Sequence, residues 1–255
     1  VTRVVKLGGR VQTDPALPQA IATALRSAFG GLVLVHGGGD ELTTLMRAMG
    51  KEPTFVGGRR VTSATEIDYA RMVLSGSANK RLVALLAAAG LRAVGVSGED
   101  GGVLRAHVAP GAPMGRVGER ISAHPALIQD LVATGWLPVV SPMGTDADAP
   151  DHSALNLNGD DAAAALAVGL KAAELILVAD VPGVLVDGVP AAALQYEDAL
   201  DLMERGVASG GMAAKLQAGH HALAHGVGRV RIGDLASLAD PARGTVLLPP
   251  GTLAH

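Results

Sequence analysis

With 255 residues, the chain is long enough for one large α/β domain or for two lobes that share a sheet. Hydrophobic residues make up 49 % of it, yet there are only two Phe, two Tyr and one Trp, so the interior must be built from Ala, Val and Leu, a composition suited to helices packed closely on a sheet. A net charge of −3 with no Lys/Arg cluster argues against nucleic acid and anionic membranes as partners, the lack of cysteine rules out disulfides and thiolate zinc sites, and no apolar run reaches the ~18 residues of a membrane span.

Short Val/Leu runs at 4–7, 32–36, 93–97, 137–141, 175–178 and 229–232 alternate with longer Ala-rich stretches, which predicts βα units and a largely parallel sheet. The N-terminus enters the first run too soon for a signal peptide, so the cytoplasm is the expected compartment. Ligands of such a sheet gather outside the carboxyl ends of its strands. At the first of these ends stands Lys6-Leu7-Gly8-Gly9, where glycines let the backbone approach an anion and the lysine supplies a mobile charge; a single motif of this kind is more often a surface lysine before an ordinary turn. Asp14-Pro15 then reads as a helix cap followed by proline at the first helical position.

The second strand runs into His36-Gly37-Gly38-Gly39-Asp40, whose consecutive N–H groups could line a cradle for phosphate or carboxylate at a helix start. No Gly-Lys-Ser/Thr follows, and neither glycine cluster is a G-x-G-x-x-G dinucleotide fingerprint. Farther on, Ser63-Ala64-Thr65-Glu66 fits a capping box, and Gly90 and Gly135 each close a helix. Segments 101–117 and 142–155, rich in Gly, Pro and Asp, are expected as hairpins or loops, and could serve as substrate lids.

Asn156-Leu157-Asn158-Gly159-Asp160-Asp161 precedes a helical run, so its carboxylates either complement the helix dipole or, in the case of Asp160, point into a site to orient lysines. Asp180-Val181-Pro182-Gly183 is either a routine turn or a nucleotide contact. Gly210-Gly211 is followed by Lys215 near a helix start, where a cation opposes the macrodipole and requires a compensating anion. The histidines form no metal spacing; His220, His221 and His225 are expected on a polar or partly exposed helix. No nucleophile elbow of a serine hydrolase occurs.

Taken in order, Lys6-Leu7-Gly8-Gly9, His36-Gly37-Gly38-Gly39, Gly58-Arg59-Arg60-Val61-Thr62, Ala78-Asn79-Lys80, Asn156-Leu157-Asn158-Gly159-Asp160, Asp180-Val181-Pro182-Gly183 and Gly210-Gly211-Met212 with Lys215 span nearly the whole chain. They resemble the amino acid kinase family, in particular its members that phosphorylate N-acetyl-L-glutamate in arginine biosynthesis. The resemblance implies a three-layer α/β/α sandwich around an open, mainly parallel eight-stranded sheet. It implies an N-terminal lobe, 1–157, for substrate and dimerisation, and a C-terminal lobe, 158–255, for ATP, with a soft boundary. By position, Lys6 and Lys215 would stabilise the transferring phosphoryl group and Asp160 would hold them. Gly37, Gly38, Arg60 and Asn156 would bind the acylated amino acid, while Gly8, Gly9, Asp180, Gly183, Val207, Ala208, Ser209, Gly210 and Gly211 would face ATP. Mg²⁺ would be held mainly by the nucleotide phosphates and not by a protein metal site.

The family's arginine-regulated members carry an additional helix before the first strand, so the sequence as it stands implies a homodimer that arginine does not inhibit. Two other functions compete. A kinase for aminoadipate borne on an acidic carrier protein would need a basic docking face, and a catalytically silent relative would be expected to have lost a lysine. The mild negative charge and the presence of both lysines favour an active enzyme on the free acetylated amino acid.

Overall fold

The computed structural model describes residues 2–27, 31–111 and 113–251. All six strands expected from the Val/Leu runs form, and they lie side by side: β1 (Arg3–Leu7), β2 (Leu32–His36), β5 (Ala93–Ser97), β8 (Leu137–Ser141), β11 (Glu174–Val178) and β15 (Val230–Gly233). With β14 (Ala193–Leu194) and β16 (Thr245–Leu247) they make an eight-stranded sheet in the order β14-β16-β15-β11-β1-β2-β8-β5. Only the β15–β16 pairing is antiparallel.

The central strands are largely apolar, with polar residues mostly at their ends, because both faces are covered. On one face Val4, Val33, Val35, Leu175 and Leu177 join a core with the alanines of α6 (Gly159–Gly169) and with α8 (Gly210–Ala224). On the other, Val5, Leu7, Leu34, Ile176 and Val178 pack with α1 (Leu17–Ser27) and α4 (Asn79–Ala88). Residues 162–167 of α6 are all buried, and the small side chains of its five alanines there let this helix lie close on the sheet.

The remaining helices are α2 (Gly39–Ala48), α3 (Glu66–Arg71), α5 (Ala126–Ala133) and α7 (Tyr196–Glu204). A π-helical stretch, Met72–Ala78, joins α3 to α4. The capping box forms at α3: Ser63 N–H donates to Glu66 Oε2 at 2.7 Å and Glu66 N–H to Ser63 Oγ at 3.3 Å. Asp14 Oδ1 accepts from Ala16 N–H ahead of α1, and Gly90 and Gly135 end α4 and α5 at φ +81° and +78°.

Segments 101–117 and 142–155 are more ordered than loops. Strands β6 (Leu104–Val108), β7 (Gly118–Ala123), β9 (Met143–Asp146) and β10 (Ala154–Asn156) form a second sheet in the order β10-β9-β6-β7. All of β9 is buried, so these hairpins are a packed wall and not lids. Two small hairpins complete the structure, β3 (Phe55–Val56) with β4 (Arg59–Arg60) and β12 (Leu185–Val186) with β13 (Val189–Pro190). The histidine expectation also needs correction: His220 is buried on α8, its ring meeting Tyr196 edge-on at 4.9 Å, because this face of α8 packs against α7.

At the base of the sheet Glu174 and Arg231 are both buried and paired at 2.6 Å, with Arg3 Nε 3.3 Å from the same carboxylate. Arg231 Nη1 also donates to the carbonyls of Ser237, Asp240 and Arg243, tying β15 to the turn that leads into β16.

Candidate active site

The site is assembled at the carboxyl edge of the sheet. Lys6 is the fourth residue of β1, Lys215 lies on the second turn of α8, and Asp160 on the first turn of α6. Asp160 Oδ1 is 3.0 Å from Lys6 Nζ and its Oδ2 is 3.4 Å from Lys215 Nζ. All three are nearly buried. Burial lowers the pKa of Lys215 from its ordinary value, and the neighbouring Lys6 charge lowers it further, against the attraction of Asp160. The anion that the macrodipole argument required for Lys215 is thus Asp160. Asn158 fixes where this carboxylate sits: as the N-cap of α6 its Oδ1 accepts from the N–H groups of Asp160 and Asp161 at 2.8 and 3.1 Å. Gly159 keeps the approach open, since a Cβ there would come within 3.3 Å of Lys6 Cε.

A cavity of about 170 Å³ opens beside this bridge, lined by Gly37, Gly38, Gly39, Arg60, Val117, Asn156 and the hairpin residue Phe55, among others. A Cβ on Gly38 would lie 2.7 Å from Leu74 Cδ2, so α2 starts close against the π-helical stretch and a larger residue would require Leu74 to shift. Arg60 is buried, and its Nη2 donates to Gly39 O and Thr43 Oγ1 at 2.9 and 2.6 Å while its Nη1 faces Met46 Sδ. These acceptors are a carbonyl, a hydroxyl and a thioether, so the guanidinium is desolvated without a bonded carboxylate. Its pKa falls accordingly, with Glu66 and Asp40 acting against the fall from a distance. Asn156 Nδ2 donates to Thr62 Oγ1 at 3.0 Å. A second cavity, about 310 Å³, lies between the hairpin tip, Gly57 and Gly58, and the start of α8, with Asp160, Gly210 and Gly211 in its wall. Gly210 takes φ +51°, a left-handed conformation at the first residue of α8.

Beneath the glycine turn, His36 is fully buried with its Nδ1 2.7 Å from Gly37 O and its Nε2 3.0 Å from Asn79 Nδ2. Asn79 Nδ2 donates to Nε2 and to Val139 O, so His36 is neutral with its proton on Nδ1. Burial pulls its pKa down from 6.5 to about 4. Between those values the unfolded chain binds the proton that the folded chain refuses, so stability is whole above pH 6.5 and declines as pH falls toward 4. Lowering the pH from 8 to 5 is expected to remove about 2 kcal/mol through this residue. His220 and His221, both lowered by burial, act in the same direction. Urea midpoints of the wild type and of His36→Gln at the two pH values check it; equal pH slopes for the two proteins would remove His36 as the source.

Residues 2–234 match the amino acid kinase family. The chain belongs to that family. Among its relatives, an acetylglutamate kinase of Chloroflexus aurantiacus is 42 % identical over 93 % of each chain. Another of Rubrobacter xylanophilus is 43 % identical over 89 % of this chain and 86 % of its own. The crystal structure of smu.665 from Streptococcus mutans superposes with a TM-score of 0.85 at 26 % identity, covering 96 % of this chain and 98 % of its own.

In this amino acid kinase, Lys6, Lys215 and Asp160 come together, Gly37, Gly38, Arg60 and Asn156 line one cavity, and Gly210 and Gly211 line the next. Gly8 and Gly9 follow β1 on the same edge. Asp180 follows β11 but is ion-paired to Arg10 at 2.7 Å and lines a separate cavity on that edge. Gly183 is buried against Thr245, and Val207, Ala208 and Ser209 lead into α8, Val207 exposed and Ala208 buried. Sequence reasoning missed Asn158 as the cap, the His36–Asn79 support and the pairing of Arg59 with Asp161 at 3.0 Å. The N-x-x-D-like spacing of Asn158 ahead of a helix was the available signal for the first; the other two join residues far apart in the chain.

Proposed function

We propose that the enzyme transfers the γ-phosphoryl group of ATP to the side-chain carboxylate of N-acetyl-L-glutamate, giving N-acetyl-L-glutamyl 5-phosphate for arginine biosynthesis. The observation that carries this reading is the pairing of two near-buried lysines on one carboxylate next to a cavity that contains a buried, carboxylate-free arginine. The relatives at 42 and 43 % identity bear the same activity in their names.

The chemistry fits the residues present. A side-chain carboxylate with a pKa near ~4.3 is ionised at neutral pH and attacks the γ-phosphorus without a general base. As its oxygen bonds to phosphorus, the bond from phosphorus to the β–γ bridging oxygen breaks and ADP departs. The obstacle is repulsion, about 4 kcal/mol for two unit charges ~4 Å apart at an effective dielectric of ~20. Lys6 and Lys215 oppose it where charge accumulates, and Asp160 keeps the two ammonium groups apart and aimed. Arg60 and Asn156 are assigned to the α-carboxylate and acetamido end of the acceptor, with Gly37 and Gly38 offering backbone N–H groups. Gly8, Gly9, Asp180, Gly183 and residues 207–211 are assigned to ATP.

Mg²⁺ fits this site as a passenger of the nucleotide. Among the described residues no group of three His, Asp or Glu side chains could hold a cation, and Asp160 is committed to two lysines. The ion would neutralise phosphate charge, held chiefly by phosphate oxygens.

Residues 1–157 would form the acceptor lobe and 158–255 the nucleotide lobe, although strands from both parts share one sheet. A homodimer is part of the proposal: β5 ends the sheet, and Trp136 and Leu127 are exposed on neighbouring segments. The enzyme would act in the cytoplasm; among the described residues no helix is long and apolar enough to cross a membrane.

ADP release measured with N-acetylglutamate, glutamate, aspartate, N-acetylaminoadipate and UMP tests the assignment, with turnover on the first expected to exceed the rest; preference for any other acceptor would replace it. Arg60→Ala is expected to raise KM for N-acetylglutamate about 10- to 100-fold, the loss of a charge-assisted hydrogen-bond pair, while KM for ATP stays within about twofold.

A further inference from the structure

Arg59 borders three cavities at once. It lines the acceptor cavity with Arg60 and Asn156, the cavity between hairpin tip and α8 with Asp160 and Gly210, and a third of about 340 Å³ between β7, α6 and α8. It sits on β4 immediately before the buried Arg60, and it is about one-third exposed. Its guanidinium is held by Asp161, Nη2 to Oδ2 3.0 Å, and more loosely by Glu119, Nη1 to Oε2 3.7 Å.

Lys6 and Lys215 share Asp160, so the three together contribute one net positive charge against an acceptor carboxylate and a polyphosphate. Arg60 is fixed deep in the acceptor cavity by Gly39 and Thr43. Arg59 is the next cation along the hairpin, and partly exposed ion pairs such as Arg59–Asp161 are held weakly, so exchange of this partner for a more highly charged one is cheap. A planar guanidinium can bind two phosphoryl oxygens side by side.

We propose that Arg59 is a third cation of the transfer centre: it leaves Asp161 when both substrates are bound and contacts the transferring phosphoryl oxygens, with Asp161 serving as its holding partner in the free enzyme. The inference rests on the phosphoryl-transfer reading above. It assigns to Arg59 a catalytic role and to Asp161 a positioning one. Burial raises the Asp161 carboxyl above its ordinary pKa, with the Arg59 charge acting against the rise.

The test compares Arg59→Leu, Arg59→Lys and Asp161→Asn, each checked for a native melting curve. Two quantities are read: kcat with saturating N-acetylglutamate, and the tightening of MgADP binding by aluminium fluoride with the acceptor present. Arg59→Leu is expected to lower kcat about 10- to 100-fold and to lose most of the fluoride-dependent tightening, while N-acetylglutamate binding to the free enzyme changes less than about threefold. Asp161→Asn cuts the same ion pair but spares the guanidinium, and is expected to lose at least about tenfold less of kcat than Arg59→Leu; Arg59→Lys should fall between. Equal losses in Arg59→Leu and Asp161→Asn would show a mere latch and overturn the proposal, as would a wild-type kcat in Arg59→Leu. Should Arg59→Leu not fold, a kcat for Arg59→Lys no lower than for Asp161→Asn overturns it. Failure of the wild type to phosphorylate N-acetylglutamate would instead sink the underlying function, which separates the two outcomes.

Discussion

Lys215→Ala should bind N-acetylglutamate as the wild type does and yet lose about 10²- to 10³-fold in kcat, the size seen when one preorganised donor to a developing charge is removed. The split between binding and turnover follows from position. Lys215 is on α8, 3.4 Å from Asp160 and outside the wall of the acceptor cavity, so its charge is used where the phosphoryl group travels. Calorimetric titration with the acceptor and a steady-state assay measure the two halves; unchanged turnover would withdraw the role. A second readout comes from pH. Burial and Lys6 lower the Lys215 pKa, so in kcat/KM of the free enzyme the basic limb should appear below 10.5, and it should vanish from the residual activity of Lys215→Ala.

The largest effect on stability is expected far from the chemistry. Glu174→Ala strips the counter-charge from Arg231, which is 1 % exposed and cannot reach water without unpacking the turn it anchors. Breaking one side of a buried pair costs about 3–5 kcal/mol, and at ~2–4 °C per kcal/mol for a chain of this size the melting temperature should drop by about 6–20 °C. Removing both charges in Glu174→Leu with Arg231→Met should recover much of that loss, since the pair owes its worth to mutual compensation and not to net attraction. Thermal unfolding of the single and double variants decides this; a double variant no better than Glu174→Ala would point to the carbonyl contacts of Arg231 as the real source.

Much of the fold was legible because the central strands carry apolar residues on both faces, a signal independent of register. The edge strand β14 and its neighbour β16 were invisible: two and three residues long, they are strands only by virtue of their neighbours. The small second sheet hid behind its glycines and prolines, which mark turns but leave room for short strands between them. In the site, the lysines announced themselves through adjacent glycines and a wrong-way helix charge. Arg59 did not, because its meaning depends on Asp161, 102 positions away, and on a hairpin tip that composition cannot orient. His220 was misjudged for a similar reason: the face of α8 that meets α7 has no distinctive period, since α8 is contacted on several sides.

The sheet order also bears on how the protein comes into being. β1 is made first yet ends in the middle of the sheet, between β2 and β11, and Lys6 finds Lys215 only through a helix more than two hundred positions downstream. On the ribosome, β2 can pair with β1, and β8 and β5 can extend the sheet beyond β2, while the other edge of β1 waits. No nascent fragment lacking α8 holds both ammonium groups, so the capacity for phosphoryl transfer arrives in a single late event of synthesis.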